Sequence, residues 1–170
     1  MKMQRVTSPH LKEPAPGTWS NCRIYGNQFF IAGMTAGDGK GGVLGNGSMY
    51  SQARETFTKI KHLVEAAGGT MNDVIRVDIY VTDITQREDV WKARREFFAG
   101  DFPTSTLVEV RALATPQLLV EVNAMGFVGG GVAERAAPLT LSVRLGGFTP
   151  PREPLSNRGS SAAVGLSGGT

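Results

Sequence analysis

Two glutamates set in strand-like runs are the residues of this chain best placed to do chemistry. Glu109 stands in the run 106–112 and Glu121 in the run 118–128, each with apolar residues on either side. A carboxylate taken out of water among apolar neighbours is costly unless something compensates. Around Glu121, the residues Leu118, Leu119, Val120, Val122, Ala124 and Met125 are apolar at both odd and even positions. That is the pattern of a strand covered on both faces. A carboxylate there has a raised pKa or holds a water, which suits a general acid or base. A paired structural glutamate fits the same pattern, and the residues alone leave both readings open. Glu109 reads more simply, as a solvent-facing residue or one paired across strands with Arg111 or a lysine.

Other site chemistries find little support. The two histidines are His10, near the N-terminus, and His62, inside a helical pattern, and neither has a partner at ligand spacing. This argues against a metal site and against a Ser-His-Asp or Cys-His nucleophile system. Cys22, the single cysteine, reads as a small strand residue and cannot form an intrachain disulfide. The glycine-rich run 33–47 begins Gly33-Met34-Thr35-Ala36-Gly37-Asp38-Gly39-Lys40. A phosphate loop needs four residues between its first Gly and the Gly-Lys pair, followed by Ser or Thr. Here the gap is five and Gly41 follows the lysine, so the run reads as a mobile connection. It does not fit a calcium loop either, because Asp38 lacks the acidic ligands that should follow. No metal and no cofactor are expected.

These glutamates need a scaffold, and the patterns supply one. Residues 19–25 and 28–32 form a hairpin around Gly26-Asn27. Residues 48–67 are helical, with Phe57, Ile60, Leu63, Val64 and Ala67 on one face and Gly68-Gly69 as the stop. Residues 74–81 alternate, with Val77, Ile79 and Val81 on one face and Arg76, Asp78 and Tyr80 on the other. A second helix over 86–98 turns Val90, Ala93 and Phe97 inward. The runs 106–112 and 118–128 close the order β-β-α-β-α-β-β, an α+β domain with two helices on one face of a small mixed sheet. The other sheet face is also fairly apolar, which calls for a second cover and points to self-association.

The chain has 170 residues, 41% hydrophobic and 19% charged, enough for one packed domain. Residues 1–16 read as a lead-in broken by Pro14 and Pro16, and 17–128 as the folded domain. Residues 129–170, rich in Gly, Pro and Ser, read as a flexible C-terminal extension in which 139–145 could add a strand. No apolar run nears the ~20 residues needed to cross a bilayer and no signal segment follows the N-terminal basic residues, so a cytoplasmic location is expected. Of the net charge of +3, Arg135, Arg144, Arg152 and Arg158 against Glu134 and Glu153 account for 4 − 2 = +2. The domain itself is nearly neutral and carries no basic stripe interleaved with aromatics, so nucleic acid is not an expected partner.

The chain resembles the reactive intermediate/imine deaminase family (RidA, also YjgF, with an older endoribonuclease L-PSP label). The resemblance covers residues 17–128. It rests on Gly26-Asn27 leading to Ala32-Gly33, on Val64-Glu65-Ala66-Ala67-Gly68, on the strand from Val77 to Asp83, on Phe97-Phe98, on Phe102-Pro103, and on Val120-Glu121-Val122 with Ala124. It implies a chorismate-mutase-like α+β fold, a homotrimer whose sheets form a central barrel, and sites in clefts between subunits. It also implies cofactor-free hydrolysis of imines or enamines to carbonyl products and ammonia. Glu121 matches the family glutamate that positions or activates water. The family's substrate-gripping arginine, two residues after the Phe-Pro proline, is Ser105 here. Its frequent cysteine is Leu107, a tyrosine is Trp19, an asparagine is Trp91, and the acidic residue after the glutamate is Asn123.

The loss at Ser105 is the serious departure, because an arginine grips a carboxylate through two charge-assisted hydrogen bonds and a serine offers one neutral donor. Arg111 lies six residues on, roughly 20 Å along a strand, too far to replace it in the same cleft of one subunit. The first expectation is a hydrolase of a divergent imine or enamine. Glu121 is its catalytic residue, Gly33 and Thr106 hold the substrate by backbone groups, Trp19 and Trp91 line the cleft, and Ser105 stands where the anchor was. The alternatives are a trimeric module that binds a small metabolite or stabilises a protein without turnover, and, last, an endoribonuclease.

Overall fold

A computed structural model describes residues 2–45 and 47–130. Of the suggested joint Gly129-Gly130-Gly131 only Gly131 lies outside these residues, as do the strand over 139–145 and the rest of the C-terminal extension. Six strands and two helices follow one another as β1 (Gln4–Val6), β2 (Cys22–Tyr25), β3 (Gln28–Thr35), α1 (Met49–Ala66), β4 (Val74–Val81), α2 (Arg87–Arg94), β5 (Thr104–Glu109) and β6 (Val120–Phe127). Short 3₁₀ turns, Met71–Asp73 and Ile84–Gln86, precede β4 and α2. The strands form one mixed sheet in the order β1-β2-β3-β6-β4-β5. Only β4 and β5 run parallel, joined by the α2 crossover; the other pairs are antiparallel.

The α+β class and the strand-helix order from the first hairpin onward hold. The lead-in does not stay loose, however. Gln4, Arg5 and Val6 pair with Ile24, Arg23 and Cys22, adding a strand ahead of the expected seven elements. Three residues are too few to show alternation, and the free edge of β2 supplies the ladder partners that hold them. His10 then stacks on His62 of α1, ring centroids 4.2 Å apart, which ties the rest of the lead-in to the helix. The first expected strand shrinks to Cys22–Tyr25, leaving Trp19 outside it and 58% exposed.

Local chemistry explains the helix ends. The Ser48 side chain accepts from the Ser51 amide at the start of α1. At its end Gly68 takes φ +90°, and the amides of Gly68 and Gly69 donate to the carbonyls of Glu65 and Val64, a Schellman closure. The Phe57, Ile60, Leu63 and Val64 stripe is fully buried against β3 and β6. The second helix stops at Arg94, short of the expected Phe98, and the chain continues in tighter turns. The change of pitch turns Phe98, rather than Phe97, deepest into the core.

β6 is the central strand, and its residues alternate buried and half-buried. Val120, Val122, Ala124 and Gly126 face the helices, and Glu121, Asn123, Met125 and Phe127 face the open side. Gly126 sits where a side chain has no room: a Cβ there would lie 1.9 Å from the Asp73 carbonyl oxygen and 2.6 Å from Phe29 Cζ. Gly126→Ala should therefore destabilise the protein by about 1–3 kcal/mol or more. A urea unfolding midpoint equal to that of the wild type would contradict this packing.

Candidate functional site

Glu121 and Gly33 meet because of an irregularity in β3. Between Ile31, paired with Ala124, and Met34, paired with Val122, β3 spends two residues, Ala32 and Gly33, opposite the single Asn123. This is a β-bulge, a device that re-aims the chain and is over-represented beside active sites. It brings the bare Cα of Gly33 under the Glu121 carboxylate. A Cβ on Gly33 would lie 1.9 Å from Glu121 Oε1, so no other residue fits without moving the acid. Glu121 itself pairs with Thr35 on one side and Tyr80 on the other, in the middle of the open sheet face. It remains half-buried, and the loss of water raises its pKa above the ordinary carboxylate value.

Gly33 also lines a cleft of about 340 Å³ whose walls include His10, Lys12, Trp19, Asn21 and Lys59. Lys59 reaches from α1 to donate to the carbonyls of Thr35, at 2.8 Å, and Gly37, and burial lowers its pKa. Lys12 Nζ donates to the Gly39 carbonyl at 3.0 Å. Asn21 Nδ2 donates to the Lys12 carbonyl and to Glu13 Oε1. The glycine-rich run beyond β3 is closed by its own hydrogen bonds rather than left slack. Asp38 Oδ1 accepts from the amides of Lys40 and Gly42, and these bonds lower its pKa. One wall of the cleft is thus positioned by polar contacts, part-buried at Lys59 and Asn21 and exposed at Lys12 and Asp38.

The approach to Glu121 is positioned by Gln52, which is fully buried in α1. Its amide nitrogen donates to the Gln117 carbonyl at 2.8 Å, and its oxygen accepts from the Leu119 amide at 2.9 Å. Both ends of the side chain are satisfied, which holds the segment entering β6 against the helix.

Of the residues singled out from the sequence, Trp19 and Gly33 line this cleft, and Glu121 lies against Gly33. Trp91, Ser105 and Thr106 do not join them within one chain. Trp91 lies half-buried on α2 with the Arg87 guanidinium over its ring, 5.8 Å from the centroid. Ser105 and Thr106 lie exposed on β5 at the far edge of the sheet, beyond β4. The row of Glu121 and Tyr80 continues to Val108, so Thr106 shares the face of Glu121 and Ser105 points to the other. Glu109 is exposed, as a solvent-facing residue should be, and rather than pairing with Arg111 it accepts from the Ile84 amide at 2.9 Å, joining β5 to the turn before α2. Sequence reasoning missed His10, Lys12, Asn21, Gln52 and Lys59. Only Gln52 carried a signal, as a polar residue on the buried stripe of α1. Among the described residues, no group of three His, Cys, Asp or Glu is arranged to hold a metal, and no helix is long and apolar enough to cross a membrane.

A sheet with this bulge, two helices on one side and a carboxylate on the other defines a family. The Endoribonuclease L-PSP family model matches residues 11–128. A RutC family protein of Pyrococcus horikoshii is 34% identical over 115 residues, spanning 67% of this chain and 90% of that protein. The 2-iminobutanoate/2-iminopropanoate deaminase of Dermatophagoides farinae is 27% identical over 113 residues, 66% of this chain and 88% of that one. The crystal structure of RidA from an Antarctic Psychrobacter superposes with a TM-score of 0.66 at 25% identity, covering 74% of this chain and 99% of that one. The chain belongs to the RidA/YjgF family.

The raised pKa of Glu121 carries a stability signature. A carboxylate whose folded pKa exceeds its ordinary 4.5 favours the fold while protonated, and that contribution is lost as pH rises through the folded value. Glu121→Gln has no such loss. From about pH 4.5 upward the wild type should lose unfolding free energy relative to Glu121→Gln. Thermal melts of both proteins from pH 4 to pH 8 check this, and parallel curves would show that Glu121 is not desolvated.

Proposed function

We propose that this chain hydrolyses a C=N bond, converting an imine, or the imine tautomer of an enamine, to a carbonyl compound and ammonia. The observation that carries the reading is the Glu121 carboxylate, held against the bare backbone of Gly33 beside the cleft with its pKa raised by burial. Such a group is a stronger base than an ordinary carboxylate and can take a proton from an attacking water. Glu121 orients the water and accepts its proton as the oxygen adds to the imine carbon. That proton goes to nitrogen and gives a carbinolamine; the carboxylate then takes the hydroxyl proton and passes it to nitrogen as the C–N bond breaks, so the carbonyl forms and ammonia leaves. One water is consumed and no electrons change hands. The 2-imino acids named for the mite relative supply the substrate class, and backbone groups at Gly33 and Thr106 hold the substrate.

The separation of Trp91, Ser105 and Thr106 from Glu121 is what a shared site requires. A homotrimer whose clefts lie between subunits lets β5 and α2 of one protomer complete the Glu121 cleft of the next. The exposed apolar residues Phe30 and Val108, both on the open sheet face, favour such a cover. Ser105 favours a second reading, a trimer that binds a small metabolite without turning it over, because it supplies none of the charge its family counterpart does.

Ammonia release from 2-iminobutanoate generated in situ separates the two. Wild type should be active and Glu121→Gln should fall at least about 10²-fold, with an unchanged circular dichroism spectrum. Wild-type kcat/KM should rise with pH as Glu121 ionises. An inactive wild type, or a fully active Glu121→Gln, would overturn the hydrolase reading. Retained ligand binding in an inactive wild type would leave the binding module.

A further inference from the structure

Among the described residues, burial lowers the pKa of two cations, Lys59 and Arg94. Lys59 has two carbonyl partners. Arg94 is different. Its Nε is buried with no hydrogen-bond partner, and its guanidinium lies over the Phe102 ring, 5.4 Å from the centroid. The charge that bears on it is the like charge of Arg95, and no carboxylate among the described residues forms an ion pair with it. A partly desolvated guanidinium whose Nε meets no acceptor is costly to keep, unless a ligand pairs with the group.

Its place in the fold gives that ligand a chemistry. Arg94 ends α2, three residues after Trp91 and therefore beside it on the helix surface. Phe102 stands three residues before Ser105, within about 10 Å along an extended chain. Arg94 thus sits among Trp91, Phe102 and the start of β5, in the part of the molecule where the sequence has Ser105 in place of an arginine. An aromatic ring under a guanidinium fixes its plane and leaves its edges free for the two oxygens of a carboxylate.

We propose that Arg94 is the carboxylate anchor of this chain's cleft, gripping from α2 the acid group that residue 105 no longer can, and so selecting 2-imino acids over neutral imines. The inference rests on the shared-cleft hydrolase reading, in which α2 and β5 of one subunit face Glu121 of another. It differs from that reading in naming the group that recognises the substrate.

Binding of 2-oxobutanoate, the unreactive product of 2-iminobutanoate hydrolysis, tests the anchor without turnover. Its dissociation constant is measured by titration calorimetry for wild type, Arg94→Met, Arg94→Lys and the double variant Arg94→Met/Ser105→Arg. Arg94→Met keeps the apolar stem over Phe102 and should weaken binding about 10- to 100-fold. Arg94→Lys should recover part of the loss, and the added arginine at 105 more of it, with equal melting temperatures throughout. Butanone, which lacks the carboxylate, should bind wild type and Arg94→Met alike. Equal 2-oxobutanoate affinity for wild type and Arg94→Met, or no binding to wild type at tens of millimolar, would overturn the proposal. The two readings fail separately. Glu121-dependent ammonia release that ignores Arg94→Met removes the anchor and keeps the hydrolase. Arg94-dependent binding without ammonia release keeps the anchor and removes the hydrolase.

Discussion

The meeting of the Glu121 carboxylate with the bare backbone of Gly33 is the constraint on which the site depends. It needs a glycine to keep the carboxylate where it is, because a Cβ there would lie 1.9 Å from the acid oxygen and push it aside. It demands a bulge, because regular pairing of β3 with β6 would set Gly33 in a different register. It also demands that β6 lie inside the sheet, where β3 and β4 flank it on both sides. Half-burial follows from these conditions, and the raised pKa follows from half-burial. A half-buried carboxylate with a raised pKa is therefore a consequence of strand order and one missing side chain.

The remaining polar groups fall into two sets. Gln52, Asn21, Asp38 and Lys59 are spent on backbone groups. They fix the loop after β3, the lead-in and the entry to β6, and so determine where the cleft walls stand. Arg94 belongs to neither wall of that cleft and has no such partner. The contrast between a cation satisfied by carbonyls and one left over an aromatic ring separates structure-holding from ligand-seeking charge in a chain whose net charge is small.

Much of this fold was legible in the sequence, because its periodicities are strong. The α1 stripe, the alternation of β4 and the apolar run around Glu121 each match one buried surface. What escaped detection lacked either length or locality. β1 is three residues long and exists only because β2 offers an edge. The end of α2 slipped because Phe97 and Phe98 are both apolar, and only the change of pitch decides which goes in. Glu121 was marked by its neighbours and Gly33 by a family motif. The bulge that joins them depends on how two distant strands pair, which no local pattern records. Lys59 and Arg94 looked like ordinary helix-surface cations, and their significance is a matter of tertiary surroundings.

The strand order has a consequence for how the molecule comes into being. β6, the last strand among the described residues, is inserted between β3 and β4, so each lacks its partner on that side until residues 120–127 have been synthesised. Closing contacts across so long a stretch of chain is entropically slow. During synthesis the helices and the β2–β3 hairpin can form early, but their apolar faces must wait unsheathed. The strand that completes the core is also the one that carries Glu121. Nascent chains that stop short of it lack both Glu121 and a finished core.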